Sequence, residues 1–261
     1  MNTPQEVIEN TIKVGIKKYE MPWRKIFLLG ILAGIYIAMG GLLSSLCAAG
    51  VNGWTTENPI ISKLLAGITF PLGLILVVLV GAELFTGNTA NLVPATMRGK
   101  IPPTYIWCNW CVVFAANFVG AFLFDYFMVY QTEILSHPDY RAFIVKTATY
   151  KVNLDWWVVF LRGIGANWFV CLAVWLGFSA RSMAGRLIGL WLPVMAFVAI
   201  GFEHSIANMY YIPTGMLYGA DISWGSFLWN NLIPSTLGNI VGGAVFVGTA
   251  YTYIYSSTSQ R

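Results

Sequence analysis

The sequence predicts an all-α integral membrane protein with six transmembrane helices, and three observations support this fold class. Of the 261 residues, 57% are hydrophobic and only 10% are charged, whereas a soluble domain is about 25% charged. Six apolar runs are long enough to cross a bilayer, which takes about 20 residues of helix. One motif occurs once in each half of the chain, so the spans are predicted to form two repeats of three helices.

The six apolar runs set the domain organisation. They cover, in chain order, residues 27–49, 64–96, 104–130, 155–178, 187–218 and 227–256. The first run is too long for a signal-peptide core, and no small-residue cleavage site follows a short apolar stretch. We therefore expect a six-span transmembrane domain at 27–256, with a cytoplasmic segment at 1–26 before it and a short cytoplasmic tail at 257–261 after it.

The N-terminal segment is predicted to be an amphipathic helix on the membrane surface. Apolar residues alternate there with lysines at helical spacing, and they include Val7, Ile8, Ile12, Ile16 and Tyr19. This pattern is typical of an interfacial helix that anchors a chain to lipid. A regulatory gate is the alternative interpretation.

The distribution of basic residues predicts the orientation in the membrane. With a cytoplasmic N-terminus, ten of the fifteen basic residues lie on the cytoplasmic side: Lys13, Lys17, Lys18, Arg24, Lys25, Arg98, Lys100, Arg181, Arg186 and Arg261. The opposite side holds Lys63, Arg141, Lys146 and Lys151, while Arg162 lies within a span. The positive-inside rule then places both termini in the cytoplasm, in an inner or plasma membrane. Because the basic residues form no continuous stripe, no nucleic-acid partner is expected.

The cysteines and histidines do not indicate a metal or cofactor site. The four cysteines, all in apolar surroundings, are Cys47, Cys108, Cys111 and Cys171. A tetrahedral zinc site would be hard to assemble with the two histidines of the chain, His137 and His204. Buried cysteine usually acts as a small hydrophobic residue, so we interpret all four as packing residues and expect no metal and no cofactor.

The repeated motif lies in the second and fifth apolar runs. Residues 81–88 (GAELFTGN) align with residues 201–208 (GFEHSIAN), and both read G-x-E-x-x-x-small-N. The match continues into the following spans at nearly the same offset, pairing Asn109, Asn117, Val119 and Gly120 with Asn231, Asn239, Val241 and Gly242. Three spans per copy invert the second copy relative to the first, and inverted repeats set broken helices opposite each other near the midplane. We therefore predict that the second and fifth helices are broken.

Two broken helices whose N-terminal ends face inward favour anions over cations. The N-terminus of a helix carries a partial positive charge and unpaired N–H donors. Glu83 and Glu203 flank the breaks, and we expect them to accept hydrogen bonds from loop N–H groups rather than to coordinate an ion. Asn88 and Asn208 are expected to cap the half-helices.

His204 is a histidine within a span, and it lies in the second break. An ionisable residue at a broken membrane helix indicates function, and imidazole titrates near neutral pH. A bare anion loses its solvation in a dry constriction, which is costly unless its charge is neutralised. We expect His204 to help protonate the anion or to stabilise it at the midplane, with Thr86 donating a hydrogen bond from the first break. A histidine that only packs in the core is the alternative.

The residues around the two breaks resemble the two signature motifs of the formate/nitrite transporter family. These residues are 83–89 (ELFTGNT) and 201–209 (GFEHSIANM). Further segments also look like family segments: Lys151-Val152, 167–175 (NWFVCLAVW) and 231–239 (NLIPSTLGN). The resemblance covers nearly the whole chain from residue 25.

This resemblance implies a fold, an assembly and a class of substrate. It implies an aquaporin-like protomer of six spans and a homopentamer in which each protomer has its own pathway. The substrates implied are small monovalent anions, namely formate, nitrite, hydrosulfide and, in some members, acetate or lactate. Transport in the family is often coupled to a proton, so the expected partners are these anions, protons and the lipid bilayer.

The resemblance also implies roles for individual residues. His204 matches the central histidine of the family, and Thr86 matches its partner on the first break. Lys151 matches a vestibule lysine that draws anions in, and Asn167 matches a polar residue near this site. The residues that match the apolar constriction are Phe70, Leu74, Leu84, Phe85 and Phe197. Without the resemblance, Phe or Leu on a span is usually a core or lipid contact, and Lys151 could be a solvated loop charge.

Two departures from the family pattern bear on the substrate. Asn153 and Leu154 stand where some formate-type relatives carry two histidines, and Arg162 stands where they carry an apolar residue. Arg162 looks more like nitrite-type relatives and favours nitrite slightly, without excluding formate or hydrosulfide. The structural interpretation of Arg162 is a pairing with an acid or with backbone carbonyls at a contact between protomers.

Two other classes of function fit the sequence less well. A neutral-solute channel of the aquaporin class predicts the same spans, but the chain lacks paired Asn-Pro-Ala motifs and has a histidine that a passive water path does not need. A membrane enzyme would use Glu203 and His204 as acid and base, but their spacing differs from H-E-x-x-H and no G-x-S-x-G turn occurs. We therefore expect a transporter and not an enzyme.

Overall fold

The structure, a computed structural model, describes residues 1–50 and 58–255. The helices are α1 (Pro4–Tyr19), α2 (Trp23–Ala49), α3 (Pro59–Thr69), α4 (Leu72–Val80), α5 (Phe85–Asn91), α6 (Val93–Met97), α7 (Pro103–Tyr130), α8 (Pro138–Val152), α9 (Trp156–Ser179), α10 (Met183–Ile200), α11 (Ser205–Leu217) and α12 (Trp224–Tyr255). The tail expected at 257–261 lies outside the described residues.

Six helical segments within the described residues are long and apolar enough to cross a membrane. They are α2, α3 with α4, α7, α9, α10 and α12, and they correspond to the six apolar runs. The prediction of an all-helical, six-span membrane protein is confirmed. The C-terminal part of α7 and two stretches of α12 have π-helical hydrogen bonding.

The second and fifth spans are each interrupted by a glycine in the left-handed region. Gly81 ends α4 with φ of 87°, and Gly201 ends α10 with φ of 91°. Glycine adopts this conformation without the steric penalty that a Cβ atom imposes. After a short non-helical stretch, the chain resumes as the half-helices α5 and α11. The second span has a further interruption before Pro71, whose ring nitrogen has no hydrogen to donate.

Close helix packing is the same in the two halves. Gly120 of α7 lies against the backbone of Ile31 in α2, and Gly242 of α12 lies against the backbone of Ile164 in α9. A Cβ atom at either glycine would overlap a carbonyl oxygen of the neighbouring helix. Small residues at such crossings let membrane helices approach closely, so the glycine pair found in the sequence marks two equivalent helix contacts.

The N-terminal helix packs on protein through its apolar side, and its expected position at the membrane surface stays a prediction. Val7, Ile8 and Ile12 are buried, and α1 contacts α5, α6, α9 and the end of α12. Because α5 and α6 are short, they leave apolar surface at one end of the bundle, and the apolar side of α1 covers it. Burial of this side stabilises the helix where it lies.

Two of the four cysteines, which were all interpreted as packing residues, are at least partly buried in the protomer. Cys171 is buried and Cys47 is half-buried, whereas Cys108 and Cys111 are exposed on the surface of α7. These two do not pack inside the protomer, because they lie on the side of the helix that faces away from the core of the bundle. Their surroundings are still apolar, as the sequence indicated.

Candidate functional site

An asparagine on α7 holds the first half-helix in place. The side-chain oxygen of Asn117 accepts a hydrogen bond from the backbone N–H of Phe85 at 2.9 Å. Its amide nitrogen donates to the carbonyls of Gly30 at 2.7 Å and of Glu83 at 2.9 Å. Backbone groups that the break leaves unpaired are thereby satisfied, as a membrane interior requires.

An asparagine on α12 does the same for the second half-helix. The side-chain oxygen of Asn239 accepts from the N–H of Ser205 at 2.8 Å. Its amide donates to the carbonyls of Gly163 at 2.8 Å and of Glu203 at 3.0 Å. Asn117 and Asn239, paired by the repeat, therefore make equivalent bonds.

The glutamates at the breaks bind side chains, and the prediction that they accept from loop N–H groups is wrong. The Glu83 carboxylate accepts from the amine of Lys18 and from the amide of Asn88, the latter at 2.8 Å. The N–H groups of the loop have other acceptors, since that of Glu83 donates to the carbonyl of Leu29 and that of Phe85 to Asn117.

Glu203 has a matching set of partners. Its carboxylate accepts from Lys151 at 2.9 Å, from Asn208 at 2.8 Å and from Asn231 at 3.1 Å. Each buried carboxylate thus faces one lysine and one or two amides, and such pairing offsets much of the cost of burying charge.

The capping roles expected of Asn88 and Asn208 are also wrong. Both residues lie inside the half-helices, four positions after the residues that cap them, Leu84 and His204. Their amides point back to the glutamates, and each also donates to an asparagine on the following span, Asn109 or Asn231.

Lys18 belongs to this site and was not among the predicted residues. It lies at the end of α1 and is mostly buried, with 11% of its side chain exposed. Its partner Glu83 is 65 positions away in the chain. Lys18 and Lys151 occupy different helices, α1 and α8, so comparing the two motifs could not reveal their correspondence. A lysine at the end of an amphipathic helix was the available signal.

His204 and Thr86 connect the two breaks. The Nε2 atom of His204 lies 3.0 Å from the Thr86 hydroxyl, and both residues are buried. The Nδ1 atom accepts a hydrogen bond from the backbone N–H of Ala207 at 3.1 Å. A backbone N–H can only donate, so Nδ1 carries no hydrogen here. The imidazole is therefore neutral in this arrangement, with its hydrogen on Nε2 directed at Thr86.

Two cavities lead toward this pair. The Lys151 cavity, of about 310 Å³, is lined by residues that include Lys151, Glu203 and His204. The Lys18 cavity, of about 340 Å³, is lined by residues that include Lys18 and Glu83. The two linings have no residue in common, and the His204–Thr86 hydrogen bond joins the breaks that border them.

Four of the predicted constriction residues border the cavities. Phe70 and Phe197 line the Lys151 cavity, where their rings meet edge to face with centroids 6.0 Å apart. Leu74 and Leu84 line the Lys18 cavity. All four are nearly fully buried, so apolar side chains surround the space between the cavities.

Two other predicted site residues, the constriction residue Phe85 and the polar residue Asn167, line neither cavity. The ring of Phe85 packs against Phe114 at a centroid distance of 5.0 Å. Asn167 donates to the carbonyl of Thr86 at 3.2 Å and to that of Asn239 at 2.6 Å. It therefore ties the first break to α12 and supports the position of Thr86.

Both cavities are predominantly basic. Among the described residues that line them, each cavity has three basic side chains and one acidic side chain: Lys63, Lys151, Arg162 and Glu203 in one, and Lys17, Lys18, Arg186 and Glu83 in the other. Clefts lined by one sign of charge concentrate ions of the opposite sign. The cavities therefore attract anions.

Within one protomer, the side chain of Arg162 contacts a tyrosine and lines a cavity. Its Nη1 atom donates to the hydroxyl of Tyr150 at 3.0 Å, and it lines the Lys151 cavity. Within the described residues of one protomer, the guanidinium forms no salt bridge with an acid, and the pairing expected at a contact between protomers stays a prediction. The nearby carboxylate of Glu203 is already held by Lys151, which leaves Arg162 directed into the cavity.

Comparison with known proteins identifies the family. The family model described as Formate/nitrite transporter matches residues 5–253. The chain is 38% identical to a probable formate transporter of Methanothermobacter thermautotrophicus, covering 97% of each chain. It is 37% identical to the formate channel FocA of Escherichia coli (strain K12), covering 93% of this chain and 90% of that one.

A solved structure gives the same result. A pentameric formate channel with formate bound matches with a TM-score of 0.78 and 35% identity, covering 90% of this chain and 98% of that chain. The relatives are transporters and channels, so this integral membrane protein transports anions and is not an enzyme. The resemblance seen in the two motifs is confirmed over nearly the whole length, and the chain belongs to the formate/nitrite transporter family.

Proposed function

We propose that this protein carries formate, and with it nitrite or hydrosulfide, between the Lys151 cavity and the Lys18 cavity, and that a proton accompanies the anion. The observation that carries the proposal is the hydrogen bond of 3.0 Å between His204 and Thr86. It lies where two half-helices begin and where apolar side chains close the path.

The path favours anions at each step. Basic side chains draw an anion into either cavity, and the half-helices direct the positive ends of their dipoles toward the centre. Phe70, Phe197, Leu74 and Leu84 then exclude water, so a bare anion would lose its solvation. An anion that takes up a proton from cavity water passes as its neutral acid.

His204 acts in this proposal as a hydrogen-bond donor. Its Nδ1 atom is occupied by the N–H of Ala207, so the Nε2 hydrogen is the one available to the path. An arriving substrate oxygen can replace Thr86 as the acceptor of that hydrogen. Thr86 in turn can donate its hydroxyl hydrogen to the substrate.

Formate is placed first because a probable formate transporter and the formate channel FocA are among the relatives. The same comparison supports a homopentamer, in which each protomer has its own path. The excess of basic residues on one side supports cytoplasmic termini, with the Lys18 cavity facing the cytoplasm.

Uptake into proteoliposomes tests the substrate and the coupling together. We expect formate uptake to rise as the pH on the donor side falls, because more of the substrate is then present as its neutral acid. Nitrite, hydrosulfide and lactate are compared in the same vesicles. Glycerol flux that ignores pH, with no uptake of these anions, would instead indicate a neutral-solute channel.

Substitution of His204 tests the central hydrogen bond. We expect His204→Phe to lower the uptake rate by roughly 10- to 100-fold, because leaving a buried polar group without its hydrogen-bond partner costs about 1–3 kcal/mol. His204→Asn keeps both an acceptor for the helix N–H and a donor for the path, so it should retain uptake that depends on pH.

The two variants separate the possible roles. Unchanged uptake by the phenylalanine variant would exclude a role for His204 in the path. Loss of pH dependence in a folded asparagine variant would show that the imidazole itself supplies the proton, contrary to the donor role.

A further inference from the structure

The two halves match closely around the breaks, and Arg162 is a position where they differ. The N–H of Glu83 donates to the carbonyl of Leu29 at 3.2 Å, and the N–H of Glu203 donates to the carbonyl of Arg162 at 3.3 Å. The next residues, Gly30 and Gly163, both accept from the equivalent asparagines. Leu29 and Arg162 are therefore structurally equivalent, but only one of them is charged.

The guanidinium of Arg162 is held at the wall of the Lys151 cavity by Tyr150. Its Nη1 atom donates to the Tyr150 hydroxyl at 3.0 Å, and its central carbon lies 6.0 Å from the centre of the Tyr150 ring. A cation over an aromatic face is attracted to the ring. These two contacts orient the guanidinium while using one of its five N–H donors.

The remaining donors of Arg162 are available to a ligand. Among the described residues, no carboxylate lies within 4.0 Å of Arg162, whereas Lys151 in the same cavity is paired with Glu203 at 2.9 Å. Arg162 is only partly buried, and the cavity that it lines also contains His204. An anion can therefore contact Arg162 on its way to the central pair.

We propose that Arg162, positioned by Tyr150, forms an entry subsite that selects small anions with two oxygen atoms. A guanidinium presents two parallel N–H groups that fit a pair of oxygens on one atom. Formate and nitrite carry such a pair, while hydrosulfide offers a single sulfur. The subsite rests on the proposed function and adds discrimination among its substrates.

The proposal predicts a change in apparent affinity and not in the chemistry at the centre. Arg162→Leu, which installs the residue of the equivalent position, should raise the half-saturating concentration of formate and nitrite by about three- to tenfold. The maximal rate should stay the same, because His204 and Thr86 are untouched. Hydrosulfide should be affected less, since it loses only a distant charge.

Arg162→Lys separates shape from charge. It keeps the positive charge but not the paired donors, so hydrosulfide uptake should match the unsubstituted protein while formate and nitrite stay weakened. Tyr150→Phe should shift formate and nitrite in the same direction by a smaller factor, because it removes the hydroxyl that orients the guanidinium. Lys63→Gln, a charge removed from the same cavity, is the control and should affect all three anions alike.

The measurement is initial uptake into proteoliposomes over a range of anion concentrations, with the leak through protein-free liposomes subtracted. The subsite would be overturned if Arg162→Leu raised the half-saturating concentration of all three anions by the same factor. It would also be overturned if Arg162→Lys took up formate and nitrite with the same half-saturating concentrations as the unsubstituted protein. Unchanged kinetics in both variants would overturn it as well. If Arg162→Leu fails to fold, as judged by size-exclusion chromatography, Arg162→Lys still decides the question. Absence of any anion uptake by the unsubstituted protein would instead refute the proposed function itself.

Discussion

At the scale of single residues, Asp125 differs from the glutamates at the breaks. Those carboxylates are held by lysines and amides, but Asp125 in α7 is fully buried and neither oxygen has a hydrogen-bond partner among the described residues. The Thr214 hydroxyl of α11 is also buried and has no hydrogen-bond partner by geometry among the described residues. A buried polar group without a partner is costly, and Asp125 lines neither cavity.

Replacing Asp125 with an apolar residue of similar size should therefore stabilise the protein. We expect Asp125→Leu to raise the free energy of unfolding by about 1–3 kcal/mol, the usual cost of an unpaired buried polar group. The thermal midpoint in detergent measures the change, and Asp221→Leu at an exposed position is the control. A lower midpoint for the buried variant would mean that Asp125 makes a stabilising contact.

At the scale of secondary-structure elements, the breaks depend on the backbone conformation of two glycines. Gly81 and Gly201 have φ values of 87° and 91°, and a Cβ atom at either would meet nothing within 4 Å. A substitution there tests the conformation alone, because no side chain would clash. Gly87, inside α5, has ordinary helical geometry, and its added Cβ would lie 3.8 Å from the amide nitrogen of Asn91.

These three glycines give a matched comparison. Gly81→Ala and Gly201→Ala should each destabilise the protein by about 1–2 kcal/mol, because an L residue in the left-handed region is strained. Gly87→Ala should be neutral or stabilising by up to about 1 kcal/mol, because alanine has less freedom in the unfolded chain. Thermal unfolding in detergent measures all three. A similar loss at all three positions would show that general packing, and not the breaks, sets the cost.

At the scale of the whole molecule, the proposed transport path lies within one chain. Both cavities, the central pair and the apolar side chains around them come from the same protomer. Many large apolar side chains lie on the outside, Trp107, Trp157 and Trp229 among them. Lipid and neighbouring protomers can cover such a surface without contributing to the path.

Independent paths predict a simple result for mixed assemblies. When unsubstituted and His204→Phe subunits are combined in known ratios, uptake should fall in proportion to the fraction of substituted subunits. The assembled mass, measured by light scattering, should be five times that of one chain. A steeper fall would indicate a path shared between subunits, because one defective protomer would then impair the others.

Much of the site was predictable because the motif recurs. The alignment of residues 81–88 with 201–208 paired Glu83 with Glu203, and the continuing match paired Asn117 with Asn239. The partners of these residues were not predictable, since they come from distant parts of the chain. Thus the expected loop contacts and caps were wrong, although the residues themselves lie at the breaks.

The sequence by itself determined the number of spans, the places where two of them break and the pairs of equivalent residues. These follow from local composition and from spacing, which the chain carries directly. Only the tertiary structure decided that Lys18 meets Glu83 across 65 positions and that Lys151 meets Glu203 across 52. It also decided that the apolar side of α1 packs against other helices and that Arg162 donates a hydrogen bond to Tyr150. Such contacts depend on how helices pack in three dimensions, and a pattern along one helix does not specify its neighbours.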